Sequence, residues 1–279
     1  MTTFVFFMVL SAAVLHASWN ALIKGGADRY ATIMILSLGH MVCGFVAVFF
    51  VAFPTDPIVW ALIVASAFVH VGYKLTLARA YNLADFSLVY PLARGAAPLL
   101  TALFSYLFLA EHIAPLSALG IAILAGGIIL LGWSKKSSPD RAGIVAALCV
   151  SVFICGYTIL DGLGGRLAAS PHSYIFYMFI IDGVFTMIFF GLFYRQNVRN
   201  IQLRDFGLGM VGGVASMFAY WIVVWAMAQA PMGSVAALRE TSVLVAMLIS
   251  VVFLKEMLTK RRMVSALLIV LGVVLLKIA

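Results

Sequence analysis

The chain has 279 residues, of which 65% are hydrophobic and only 10% charged. A soluble domain carries roughly a quarter charged residues, so this chain cannot cover its own surface with polar groups, and its mean hydropathy of +1.13 excludes a soluble class. The net charge of +8 is spread over short connections between apolar runs, which suits loops at an anionic membrane surface and excludes a nucleic-acid reading.

A membrane-spanning helix needs about 20 mostly apolar residues. Ten segments meet or approach that length, near 4–23, 31–53, 58–78, 86–109, 115–133, 142–162, 173–194, 206–228, 233–254 and 263–278. The runs are unbroken, whereas barrel strands would alternate over about ten residues. The expected fold class is an all-α membrane protein with ten transmembrane helices. The N-terminal MTTFVFFMVLSAAVLHA lacks a basic leader, and apolar sequence continues to Ile23, so it reads as a retained helix. Cys43, Cys149 and Cys155 lie in apolar stretches and read as small filler.

Polar residues within the spans are few and fall into patterns. In span 1, His16, Trp19 and Asn20 stand at i, i+3 and i+4, on one face. A cavity lining competes there with an interfacial anchor, and Lys24 is expected to snorkel to the surface. Span 3 repeats the spacing with His70, Tyr73 and Lys74, and snorkelling competes for Lys74. In span 4, Tyr90 and Arg94 are one turn apart. Pro91 and Pro98 each remove a backbone donor, which predicts a bend. A charge within a span costs about 2.5–3.5 kcal/mol on insertion scales. Arg94 is therefore expected to face a wet cavity, or else to partner a buried carboxylate.

Span 6 offers Tyr157 and Asp161, again one turn apart, with Asp161 equally readable as a helix-end charge. Asp182 stands mid-span in span 7 and is expected to form a structural salt bridge. Span 8 carries Tyr220, Trp221 and Trp225. The last two share a face and suit either an aromatic wall or a core or lipid contact. Gly209 and Gly213 on the same span allow close helix packing. Span 9 holds Arg239 and Glu240, followed by Thr241 and Ser242, and Glu240 is a candidate partner for Lys74 or Arg94. The candidate substrate-binding set is thus His16, Trp19, Asn20, Tyr73, Lys74, Tyr90, Arg94, Tyr157, Trp221, Trp225, Arg239 and Glu240. No catalytic constellation stands beside it: there is no G-x-S-x-G, Walker loop or H-E-x-x-H. Neither an enzyme nor a cofactor nor a metal site is expected.

The chain also repeats. Shifted on itself, it places Arg94 over Arg239, Ser105 over Ser250, Phe108 over Phe253, Glu111 over Glu256 and Gly127 over Gly272. The expected units are residues 1–136 and 137–279. Each holds five spans, an odd number, so the second enters the membrane upside down. Inverted repeats are a common build for secondary transporters, with the substrate site near the midplane where the repeats meet. Thirteen Lys and Arg fall in the odd-numbered connections and two on the opposite side with the termini. The positive-inside rule then places both termini in the periplasm of a multi-pass inner (plasma) membrane protein.

Ten spans, a 5+5 repeat, the Glu closing spans 4 and 9, and the stretch HASWNALIK from His16 to Lys24 together resemble the drug/metabolite transporter superfamily, in particular its ten-helix EamA-like branch. The resemblance covers essentially the whole chain. It implies a central cavity lined by spans 1, 3, 4, 6, 8 and 9, supporting packing by the last helix pair of each half, and alternating access. HASWNALIK is also similar to permease-like members found alongside phosphonate catabolism. Many relatives read with cytoplasmic termini, and this chain reads the other way. The expected function is a secondary transporter of a small polar, anionic or zwitterionic metabolite, working with membrane lipid around it, with proton coupling possible, as a monomer or homodimer. The alternatives are a proton-coupled exporter of aromatic or cationic compounds, using Asp161, Asp182 and Glu240, and a lipid-carrier flippase.

Overall fold

The computed structural model describes residues 1–23, 29–83, 86–132, 141–198, 203–253 and 259–279. Lys24, Glu256 and the expected unit boundary at 136/137 lie outside the described residues. The elements are α1 (Thr3–Ile23), α2 (Arg29–Ala47) with a 3-10 turn (Val48–Phe50), α3 (Pro57–Leu83), α4 (Phe86–Phe108), α5 (Pro115–Gly132), α6 (Arg141–Leu167), α7 (Pro171–Phe193), the short α8 (Arg195–Val198), α9 (Leu203–Met227), α10 (Met232–Arg239), α11 (Ser242–Phe253) and α12 (Lys260–Ile278). Among the described residues there are nine spans long and apolar enough to cross a membrane, with α10 and α11 sharing one of them, Met232–Val252. The 19-residue α12 makes the tenth by length. Its terminal Lys260, Arg261, Arg262 and Lys277 hold down its apolar average. The chain is a multi-pass, all-α membrane protein.

Local chemistry sets the helix ends. Pro57, Pro115 and Pro171 each open a helix, where a fixed φ helps and the missing N–H would be unpaired anyway. Ser170 caps α7 by accepting from the His172 amide at 3.3 Å. Thr259 caps α12 in the same way at the Arg262 amide, 3.3 Å.

The packing obeys the repeat. α3 lies on α6 and α7, as α9 lies on α1 and α2. α4 lies on α6, as α10 and α11 lie on α1. The pairs α2–α7, α5–α12 and α4–α10 join the halves directly. Exchanging the two halves leaves this set of partners unchanged, the mark of a 5+5 inverted repeat about a pseudo-two-fold axis. Small residues allow the close crossings. A Cβ on Gly120 would lie 3.0 Å from the Gly272 carbonyl, and one on Gly127 would lie 3.0 Å from the Ser265 carbonyl. The expected G-x-x-x-G contact is also present: a Cβ on Gly213 would lie 2.7 Å from the Leu36 carbonyl of α2.

Helix interruption falls where the sequence pattern did not place it. α4 continues through Pro91 and Pro98 as one helix. Its counterpart in the second half breaks between Arg239 and Ser242, with no proline there. The turn closes with short-range bonds: the Glu240 amide reaches Ala237 O at 3.1 Å, the Thr241 amide reaches Leu238 O at 3.0 Å, and Thr241 Oγ1 also donates to Leu238 O at 2.7 Å. The hydroxyl competes for the carbonyl that a continuing helix would use.

Candidate functional site

The break in the α10–α11 span presents Arg239 and Glu240 to Arg94 of α4. Glu240 is fully buried, and Arg94 and Arg239 are only 5% and 4% exposed. Arg94 Nε lies 2.5 Å from Glu240 Oε2, while Arg239 Nη2 lies 3.2 Å from Oε1. Each carboxylate oxygen faces a different guanidinium. Arg94 Nη2 also approaches His16 Nε2 at 3.1 Å and donates to Ser242 Oγ at 3.3 Å. Guanidinium only donates, so that His16 nitrogen accepts. Two guanidiniums on one carboxylate leave one unit of positive charge in the middle of the fold.

Aromatic rings flank the cluster. Arg94 Cζ lies 5.6 Å from the Tyr90 ring. Arg239 Cζ lies 6.0 Å from the Tyr157 ring and 5.9 Å from that of Tyr220. Tyr73 meets Tyr157 edge-on at 5.4 Å. His16 meets Trp19 edge-on at 5.1 Å, and Asn20 bonds back to the His16 carbonyl at 2.7 Å. Among the described residues, the Trp19 indole N–H has no hydrogen-bond partner. Nine of the twelve candidates therefore gather at or beside the cluster.

Lys74 is engaged elsewhere. Its Nζ donates to Asp182 Oδ1 and Oδ2 at 2.7 and 2.8 Å and to Thr186 at 2.8 Å. This is the salt bridge expected of Asp182. It also means that Asp182 does not hold either arginine. Trp221 and Trp225 stand apart from the cluster. Trp221 donates to His172 Nδ1 at 2.7 Å and packs on Phe176, while Trp225 meets Phe4 edge-on at 5.8 Å.

Asp161 is neither an ordinary helix-end charge nor an arginine partner. It is fully buried. It accepts from Ser66 Oγ at 2.5 Å, Tyr174 OH at 2.9 Å and Tyr220 OH at 2.5 Å. Its glycine neighbours make this enclosure possible. A Cβ on Gly164 would fall 1.9 Å from Tyr174 Cε2, so only glycine leaves room for the ring. Ser66 and Tyr174 were not legible as site residues, because they sit 95 and 13 positions away from Asp161 on other helices.

The face that carries the chain ends is bridged by side-chain bonds. Lys277 Nζ donates to Thr3 Oγ1 at 2.7 Å, so both termini lie on one face. On that face Arg166 pairs with Glu111 at 2.6 Å and donates to the carbonyls of Met227 and Ala230 at 2.8 and 2.9 Å. Glu111 in turn accepts from the Met232 amide at the start of α10, at 3.0 Å. Three connections are thereby joined through one ion pair. Among the described residues, no three His, Cys, Asp or Glu gather as metal ligands would.

The profile of the EamA-like transporter family matches residues 3–133 and again residues 141–278. No curated protein matches the chain. One solved crystal structure shares the fold at a TM-score of 0.76, covering 98% of this chain and 95% of its own, at 18% identity.

Proposed function

The chain belongs to the EamA-like transporter family, and from that premise we propose that it is a secondary transporter of a small anionic or zwitterionic metabolite. It moves its substrate by alternating access across the inner (plasma) membrane. The observation that carries this reading is the shared carboxylate: Glu240 answers two guanidiniums at 2.5 and 3.2 Å and neutralises one. The surplus charge attracts an anion, and a guanidinium grips a carboxylate, phosphate or phosphonate with two parallel hydrogen bonds. Tyr73, Tyr90 and Tyr157 supply walls and neutral hydrogen bonds, and the Trp19 N–H, without a partner among the described residues, supplies a donor. A cationic cargo draws less support, because Asp182 already holds Lys74, Glu240 already holds the arginines, and the Ser66, Tyr174 and Tyr220 hydroxyls already occupy Asp161.

The test separates charge from geometry. Purified protein is screened by thermal shift against carboxylates, phosphates, phosphonates, amino acids and cations. Anions or zwitterions are expected to raise the melting temperature, since a ligand at a hundred times its Kd stabilises by about 2.7 kcal/mol. With the best ligand in liposomes, Arg94→Lys keeps the charge and loses the fork, so it is expected to weaken uptake at least tenfold. Equal uptake by Arg94→Ala and the parent, at equal protein level, defeats the reading.

A further inference from the structure

The buried ion pairs are not seated equally well. Lys74 meets Asp182 at 2.7 and 2.8 Å and Thr186 at 2.8 Å, the ordinary length of charge-assisted bonds. Glu240 is fully buried as well, yet its bonds are poorer. Arg239 Nε and Nη2 both reach the single oxygen Oε1, at 3.3 and 3.2 Å, beyond the roughly 2.7–2.9 Å of a good charge-assisted bond. Arg94 Nε stands 2.5 Å from Oε2, an ion pair by distance, but the contact lacks the alignment of a hydrogen bond. Arg94 is meanwhile anchored from its other nitrogen, with Nη2 at 3.1 Å from His16 Nε2 and 3.3 Å from Ser242 Oγ. A guanidinium fixed in place, with a carboxylate poorly seated against it, is a position for a better-fitting anion.

We infer that Glu240 is an internal competitor: its carboxylate occupies the anion position of Arg94, and the transported anion displaces it. The inference rests on the anion reading above and adds how the anion enters and what charge it carries. Glu240 stands at the break between α10 and α11, not inside a continuous helix. Its second partner, Arg239, is its chain neighbour and already meets Oε1. After the exchange Arg94 holds the substrate and Arg239 holds Glu240. The space that the new headgroup needs is what the moving carboxylate vacates. Two guanidiniums around one carboxylate leave one positive charge, and a second single negative charge cancels it. A dianion would leave a buried negative charge without a partner, which is costly. The bound headgroup therefore carries one charge, as a carboxylate, a sulfonate or a phosphodiester does.

The exchange also undoes a tie between the halves. Arg94 belongs to α4 of the first half and Glu240 to the second, so their pair spans the two, whereas Arg239 and Glu240 lie within one. Substrate binding removes that cross-link, which couples occupancy to the rearrangement that alternating access requires.

The chain has three glutamates, Glu111, Glu240 and Glu256, so a carbon-13 label on their carboxyl groups gives few signals. Labelled protein in lipid nanodiscs is titrated with unlabelled acetate, methanesulfonate and sulfate. Glu111→Gln and Glu256→Gln assign the Glu240 signal by elimination. The expected result with acetate is a saturable shift of the Glu240 signal, because one of its two guanidinium neighbours is replaced, while the Glu111 signal stays in place. Methanesulfonate is expected to act in the same way and sulfate to bind more weakly; tighter binding of sulfate overturns the match of one charge. In Glu240→Gln the competing charge is gone, and acetate is expected to bind about tenfold more tightly or better, read from the concentration dependence of the melting temperature. If that variant does not fold, the titration of the parent decides alone. Saturable binding that leaves the Glu240 signal in place, or an affinity that is unchanged or weaker in a folded Glu240→Gln, overturns the displacement while the anion reading stands. Absence of saturable binding by all three probes overturns both.

Discussion

At the scale of single residues, the interior sorts its charges by partner. Lys74 and Asp182 form a closed pair with 11% and 2% of their side chains exposed. Such a pair costs desolvation that its attraction only offsets, while removing one member strands the other. Asp182→Asn is therefore expected to destabilise the protein by about 3–5 kcal/mol. The double change Lys74→Met with Asp182→Leu is expected to recover most of that loss, by denaturant unfolding in detergent, and to leave uptake near the parent level. A double variant that folds but no longer transports would return Lys74 to the substrate site. The residue scale also marks the limit of sequence reading. His16, Tyr90, Arg94, Tyr157 and Arg239 were legible because a polar group within a span is costly wherever it points. Their partners were legible only in part: Glu240 stood as a candidate for Lys74 or Arg94 and holds Arg94. Which carboxylate takes which cation depends on helix rotation, and Ser66 and Tyr174 look like ordinary helix residues until the fold brings them, with Tyr220, to Asp161.

At the scale of elements, the repeat is unequal where it does its work. Pro98 cannot donate to the Arg94 carbonyl, yet α4 runs on, packed against α5 and α6. The equivalent span breaks beside Arg239 without a proline. Composition could flag the two prolines, but not a break made by a threonine hydroxyl and a buried ion cluster. The α9–α10 connection is the other special element, since Arg166 and Glu111 hold it from two sides. Arg166 is 31% exposed, so solvent screening trims the value of its bonds to roughly 1 kcal/mol. That amount still shifts an open–closed equilibrium several-fold. In a background with Cys43, Cys149 and Cys155 replaced by Ala, Met232→Cys is expected to react slowly with a membrane-impermeant maleimide, because Met232 is fully buried. Adding Arg166→Ala is expected to speed labelling about five- to tenfold. An unchanged rate would show that the ion pair does not hold this face closed.

At the scale of the whole molecule, the fold was more legible than the site because it rests on sums. Span count, repeat and charge asymmetry each pool many residues, so a misplaced boundary such as that of span 9 leaves them intact. The charge sum also carries the last prediction. The bond between Lys277 and Thr3 puts both chain ends on one face, so a single measurement orients the molecule. Arg166 shares that face, while by the sequence count thirteen Lys and Arg belong to the odd-numbered connections. Basic residues flanking spans are retained on the cytoplasmic side, and the bias here is far beyond what one misassigned connection would reverse. An alkaline phosphatase fusion after Ala279 is therefore expected to be active, and a green fluorescent protein fusion at the same point dark. The opposite pair of results would place the chain ends in the cytoplasm. It would also place the Arg166–Glu111 ion pair on the cytoplasmic side.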